Sequence, residues 1–86
     1  PDDYSRWSQM LHYLSLVLQD PQAQQVIRNL AISPSTKAEF INQIDAQALD
    51  QQGKNLVKVL AVSKRLEILP ALYELYETMR QKVQNQ

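Results

Sequence analysis

The chain has 86 residues, nine of them acidic and nine basic, with one glycine, four prolines and no cysteine. This length leaves room for one hydrophobic core, so we predict that residues 1–86 form a single domain. The zero net charge argues against nucleic acid as a partner, and the lack of cysteine excludes disulfides, thiolate metal sites and a cysteine nucleophile. No apolar run approaches the ~20 residues of a membrane-spanning helix, so direct membrane insertion is not expected.

Two helices are predicted in the first third of the chain. The first follows Asp3, a good N-cap residue, and runs to about Gln19. Its apolar residues recur every three or four positions and predict a buried face made of Tyr4, Trp7, Met10, Leu11, Leu14, Val17 and Leu18. Its predicted solvent face consists of Ser8, His12, Ser15 and Gln19. Asp20 and Pro21 then supply an N-cap and a first helical residue for a short second helix. The predicted core residues of that helix are Val26, Ile27 and Leu30.

Three further helices follow. In the segment "SPSTKAE", Pro34 fixes the entry of the third helix, and Thr36 with Glu39 has the spacing of a capping box. Its predicted core residues are Phe40, Ile41 and Ile44. Asp50 is the predicted N-cap of a fourth helix that runs roughly to Lys64. A fifth helix begins near residue 66 and runs to about residue 83, with the apolar stripe Leu66, Leu69, Leu72, Tyr76, Met79 and Val83, and it tolerates Pro70 in its first turn. The predicted fold is therefore all-α, a compact bundle of about five short helices.

The fourth helix carries more apolar surface than one neighbour can cover. At about 100° per residue, Lys54, Lys58 and Arg65 fall on one solvent-facing line, and the two leucines at positions 56 and 60 point almost opposite, into the core. Two flanks remain, one formed by Asn55, Val59, Val62 and Leu66, the other by Val57 and Ala61. Each large apolar side chain left in water forfeits ~1.5–3 kcal/mol of burial free energy. We therefore predict that an additional helix, from this protein or another, covers part of this segment.

The sequence offers no arrangement of residues for catalysis, for a cofactor or for a metal. His12 is the single histidine and shares a predicted solvent face with Ser8 and Ser15, so we interpret it as a surface residue. A metal site would need further donors at ligand spacing, and a phosphate-binding loop would need more glycine than Gly53 alone. Trp7 is interpreted as a core anchor whose edge is also a candidate partner contact, since tryptophan is favoured in both places.

The segment "NLVKVLAVSKRLEILPALYELYETM" resembles the signature region of the delta subunit of bacterial F-type ATP synthases, whose mitochondrial counterpart is the oligomycin-sensitivity-conferring protein. The pattern of that family is an asparagine before an apolar helix, then Arg-Leu, Leu-Pro and an apolar stripe that ends in aromatic residues. The matching residues are Asn55, Arg65, Leu66, Leu69, Pro70 and Tyr76. The upstream "YSRWSQML" is similar to the family's second helix through its Arg-Trp pair, and "DQQGKNL" is similar to the entry of its fifth helix.

The chain also departs from the family pattern. Ser63 and Lys64 stand where the family usually has Asn-Gly or Asn-x, which we expect to change only the turn. The family's amino-terminal domain is a six-helix bundle, and its first helix would precede Pro1. The carboxy-terminal portion, which engages the peripheral stalk in the family, also lies outside the sequence. We therefore expect the chain to be a fragment of a larger subunit, namely the six-helix bundle without its first helix.

The resemblance implies a non-catalytic stator adaptor that links the catalytic head to the peripheral stalk during proton-driven ATP synthesis, without a cofactor. It implies a peripheral location at the cytoplasmic face of the bacterial inner membrane. In the family, the amino-terminal helix of an alpha subunit docks between the first and fifth helices, and the fifth corresponds to the predicted fourth helix here. The candidate partner-binding residues are Asn55, Val59, Val62, Ser63 and Leu66, with Trp7 as a further candidate. The alternative for each is a place in the chain's own core.

Two other function classes stay open at this point. A helical-bundle RNA-binding regulator would need a basic face, which the scattered charges do not provide. A self-associating interaction domain is compatible with the stator-adaptor interpretation. An exposed groove beside the fourth helix would favour a dimer.

Overall fold

The structure is a computed structural model that describes residues 3–84 and the side chains of residues 4–82. Its five α-helices are Asp3–Gln19 (α1), Pro21–Arg28 (α2), Pro34–Ile44 (α3), Gln51–Val62 (α4) and Leu69–Gln84 (α5). One turn of 3₁₀ helix, Leu66–Ile68, directly precedes α5. No strand is present in the described range, so the all-α prediction and the order of the five helices are confirmed. The predicted N-cap at Asp3 and the predicted core position of Val83 concern side chains outside the described range.

The helices form two antiparallel pairs, α1 with α5 and α3 with α4. In the first pair, Ser8 lies opposite Glu77, and the ring of His12 lies 5.3 Å from that of Tyr73, so the two helices run in opposite directions. In the second pair, the start of α3 and the end of α4 line one cavity. The short helix α2 contacts both α1 and α3 and connects the two pairs.

Side-chain caps define where three of the helices begin. The carboxylate of Asp20 accepts a hydrogen bond from the amide of Ala23 at 2.9 Å, and that of Asp50 accepts one from the amide of Gly53 at 2.9 Å. Both predicted caps are therefore confirmed. The predicted capping box in α3 is wrong, because the hydroxyl of Ser33 is the group that accepts from the amide of Thr36, at 3.2 Å. With Pro34 at the first helical position, the cap is Ser33, three residues before the Thr36 that the predicted box would use.

The centre of the core draws one side chain from each of the four longer helices. The most deeply buried large side chains are Leu14, Ile41, Val57 and Leu69. Around them, α2 contributes Ala23 and Ile27. Tyr13 ties α1 to the end of α3, since its hydroxyl donates to the carbonyl oxygen of Ile41 at 2.8 Å and accepts from the amide of Asp45 at 3.2 Å. Burial raises the pKa of Tyr13, which keeps this hydroxyl protonated as a donor.

Several predicted burial assignments are wrong, for identifiable reasons. Leu30 is 96% exposed because α2 ends at Arg28 and the leucine lies in the link to α3. Tyr4 and Ile44 are half exposed because they lie at the ends of their helices. Ser15, predicted on the solvent face of α1, is buried, and its hydroxyl accepts a hydrogen bond from Gln19 at 3.0 Å.

The turn after α4 relies on a lysine in an unfavourable backbone conformation. Lys64 has φ 62°, the left-handed region that favours glycine. Its amide donates to the carbonyl oxygen of Ala61 at 3.1 Å, and the amide of Arg65 donates to that of Leu60 at 2.8 Å. This is the paired hydrogen-bond pattern of a Schellman helix end, a position where glycine is the usual residue.

Lys64→Gly is therefore expected to stabilise the fold by about 1 kcal/mol, because glycine adopts this conformation without strain. For a chain of this length, the melting temperature should rise by about 4–8 °C, measured by circular dichroism. Lys64→Ala is the matched control, since it removes the same charge and retains the strain. Equal melting temperatures for the two variants would contradict this account.

Candidate partner-binding surface

The carboxy-terminal half of α4 presents two valines to solvent. Val59 and Val62 are three positions apart on one face and are 63% and 69% exposed. The opposite side of the helix is in the core, where Val57 and Ala61 are almost fully covered by the chain itself. The prediction of surplus apolar surface on α4 is therefore confirmed for one flank, whereas the Val57 flank needs no further cover.

Two polar candidates border the valines. Asn55 is exposed, and its side-chain oxygen accepts a hydrogen bond from the side-chain amide of Gln51 at 3.0 Å. Ser63 is also exposed, and its hydroxyl lies 2.9 Å from the carbonyl oxygen of Val59, to which it donates. Ser63 thus closes the last turn of α4 beside the valines. We call the surface formed by Asn55, Val59, Val62 and Ser63 the outer face of α4.

Leu66 does not belong to this surface. It is only 5% exposed and lies in the core, which corrects its predicted place on the flank of Val59 and Val62. The helical wheel extends the register of α4 to position 66, but the helix ends at Val62. The left-handed conformation of Lys64 then redirects the chain and turns the side chain of Leu66 inward.

Trp7 lies at the other end of α4 from the valines. Its ring is half-buried against the core, and the guanidinium of Arg6 lies 5.5 Å from the ring centroid. Arg6 also forms an ion pair with Asp50 and donates to Gln52 at 3.1 Å, so it holds this part of α1 at the start of α4. The structure therefore brings together Asn55, the two valines and Ser63, and leaves Trp7 apart from them.

A second apolar surface, on α5, was missed by the sequence analysis. Leu75 and Met79 are 58% and 55% exposed, and their spacing of four residues places them on one side of α5. Ile68, in the 3₁₀ turn that precedes the helix, is 44% exposed. We call these three residues the outer face of α5. Met79 was predicted in the core stripe, which is wrong because α1 covers the neighbouring side of α5, where Tyr73 and Tyr76 pack against the core. The spacing of four residues between Leu75 and Met79 was the available signal.

The polar contacts between α1 and α5 are structural. The carboxylate of Glu77 accepts hydrogen bonds from Ser8 at 2.6 Å and from Nη2 of Arg80 at 3.1 Å. The Arg80 hydrogen bonds, and after them the Ser8 bond, lower the pKa of Glu77. Among the described residues, no cluster of histidine and carboxylate side chains could hold a metal ion, and none of the helices has both the length and the apolar character needed to cross a membrane.

Comparison with known proteins gives a consistent result. Residues 2–86 match the family described as "ATP synthase delta (OSCP) subunit". The chain is 36% identical over 72 residues to ATP synthase subunit delta of Pasteurella multocida, an alignment that covers 84% of this chain and 40% of that protein. It is 32% identical over 78 residues to the same subunit of Thioalkalivibrio sulfidiphilus, covering 91% of this chain and 44% of that protein. The chain thus spans less than half the length of these relatives. No solved structure gives a significant match.

Glu77→Gln is expected to change how the stability of the fold depends on pH. Since the folded-state pKa of Glu77 is lowered from 4.5, the unfolded chain binds more protons as the pH falls below 4.5. The stabilisation is therefore present above that pH and is lost as the pH falls through the folded-state pKa. Urea unfolding between neutral and acidic pH should show the variant's deficit shrinking below pH 4.5. Glu74→Gln, on the exposed side of α5, controls for loss of a carboxylate, and a deficit that does not vary with pH would refute the assignment.

Proposed function

The chain belongs to the ATP synthase delta (OSCP) subunit family, and from that premise we propose that it is part of a non-catalytic stator adaptor of an F-type ATP synthase. The proposed adaptor binds the amino-terminal helix of an alpha subunit and helps to keep the catalytic head still while the rotor turns. The observation that carries the proposal is the exposed valine pair on α4, the helix that corresponds to the family's docking helix.

The outer face of α4 suits an amphipathic helix as its partner. Val59 and Val62 provide adjacent apolar anchors on a rigid helix, and Asn55 and Ser63 provide polar groups along the same edge. A helix laid along such a surface covers the valines with side chains at three- and four-residue spacing. Burial of these valines slows dissociation of the partner helix, and a contact that must resist torque requires slow dissociation.

We infer that the second wall of the docking groove is a helix upstream of Pro1 in the full-length protein, in keeping with the family resemblance. The outer face of α5 is apolar surface that such a helix would cover, through Ile68, Leu75 and Met79. The contact with the peripheral stalk is assigned to the part of the subunit that lies beyond this chain. The proposed location is peripheral, at the cytoplasmic face of the bacterial inner membrane.

Val59→Glu is expected to weaken the binding of a peptide that copies the amino-terminal helix of the cognate alpha subunit. The change places a charge where the peptide should bury an apolar contact, so Kd measured by calorimetry should rise about tenfold or more. Helicity should be unchanged, because the side chain at this position is 63% exposed. Leu16→Glu is the matched control, since Leu16 is 55% exposed on α1.

The possible outcomes separate the candidate roles of Val59. Unchanged peptide affinity would remove the outer face of α4 as the docking site. Loss of helicity would instead show that Val59 supports the fold. If RNA rather than the peptide binds, affinity should fall steeply with salt, because phosphate contacts release counterions.

Self-association is a second candidate, favoured by the same exposure of Val59 and Val62. Two copies packed through the outer face of α4 would hide these side chains from water. Sedimentation at high protein concentration should then show a dimer that Val59→Glu dissociates. A monomer at every concentration would eliminate this candidate.

A further inference from the structure

A separate concave surface lies beside the end of α4. This open cavity of about 450 Å³ is lined by the end of α2, the link to α3, the start of α3, the end of α4 and the 3₁₀ turn. Its apolar lining includes Ile27, Leu30, Ile32, Pro34, Ala61 and Leu66. Around the helix, Ala61 lies about 200° from Val59 and about 100° from Val62. Neither valine lines the cavity, so it is a surface separate from the outer face of α4.

This cavity continues into a smaller one along α2. The second cavity, of about 270 Å³, shares Ile27, Arg28 and Glu67 with the first and extends to Leu18 and Pro70. The ion pair between Arg28 and Glu67, with 3.6 Å between Nε and Oε1, lies where the two cavities meet. We call the combined surface the α2 groove. Two adjoining cavities that share three lining residues suit a stretch of polypeptide better than a compact small molecule.

Leu30 is the most exposed large apolar side chain described, at 96%. It lines the larger cavity from the link between α2 and α3. That link is fixed by hydrogen bonds, since the side-chain oxygen of Asn29 accepts from the amide of Ala31 at 2.9 Å and its carbonyl oxygen accepts from the amide of Ile32 at 3.2 Å. A leucine held in water by an ordered turn would gain burial free energy from any apolar group placed against it.

The charge at the rim of the groove is positive. Arg28, Lys37 and Lys64 contribute three cations and Glu67 one anion, a net charge of +2. Glu67 is engaged with Arg28, and within residues 4–82 no carboxylate lies at ion-pair distance from Lys37 or Lys64. A complementary ligand therefore has apolar groups at its centre and negative charges on either side. Charges of opposite sign at a rim favour such a ligand over others.

We propose that the α2 groove docks a segment of a partner protein in which large apolar side chains are flanked by aspartate or glutamate. The apolar side chains contact Leu30 and the lining of the larger cavity, and the carboxylates face Lys37 and Lys64. This site is independent of the proposed role of the outer face of α4. A chain with both surfaces would hold two partner segments at once.

The experiment uses two displayed libraries of 12-residue peptides that share a central pair of large apolar residues. One library allows only aspartate and glutamate beside this pair, and the other only lysine and arginine. The acidic library should yield binders and the basic library should not. Amide NMR signals at positions 30–32 and 37 should shift with the selected peptide, and those at 59 and 62 should not. No binders, binders from the basic library, or shifts confined to α4's outer face would each overturn the proposal.

Variants at the rim then test the named contacts. Leu30→Ser should raise Kd for the selected peptide about tenfold, because it removes the exposed apolar contact without touching the core. Lys64→Gln should raise Kd about threefold, with an effect that falls at high salt. Lys58→Gln is its matched control, an identical change at an exposed position of α4, outside the groove. Equal affinity for the Leu30 and Lys64 variants and the unmodified chain would also overturn the proposal.

Discussion

The structure depends on α1, which packs along α5 and α2 and reaches α3 and α4 through individual side chains. Its central residue, Leu14, is fully buried, and the fully buried side chains of α3, α4 and α5 complete the same core. Specific contacts extend outward from α1: Tyr13 reaches the end of α3, and Arg6 reaches the start of α4. Met10 lies so close to Gly53 that an added Cβ at the glycine would stand 2.8 Å from the methionine sulfur. The main packing partner of α5 is α1 and that of α4 is α3, and the apolar side chains that point away from these partners stay exposed.

The elements that could be predicted from the sequence are those fixed by local chemistry. The caps at Asp20 and Asp50 need only a carboxylate and an amide three residues later, so both were identified correctly. The wrong burial predictions concern residues that lie beyond a helix end, and residues of a helix that carries two apolar stripes. Leu66 was misplaced because helical register stops at Val62, and nothing in the sequence marks Lys64 as left-handed. On α5, both stripes are apolar, and only the position of α1 decides which one faces the core.

Candidate site residues were predictable to the same extent. Val59 and Val62 lie inside a regular helix, so their common direction follows from spacing alone. Their exposure, in contrast, depends on which side of α4 the other helices cover. Helical spacing alone could not tell whether the flank of Val59 or that of Val57 stays exposed. The α2 groove was not predictable, because it is built from a link, a helix start and a helix end that are far apart in sequence.

The turn at Lys64 connects stability with surface chemistry. A left-handed lysine costs backbone free energy relative to glycine, yet it directs Leu66 into the core and places a cation at the rim of the α2 groove. A glycine would relieve the strain and preserve the direction of the chain, but it would remove the charge. A related trade-off holds for the valines on α4 and for Leu30: while exposed they add little burial free energy to the isolated chain, and they provide the surface that a partner can bury. A chain of 86 residues has a small core, so it can carry such residues only if the contacts made by α1 hold the helices rigidly enough to present them in fixed positions.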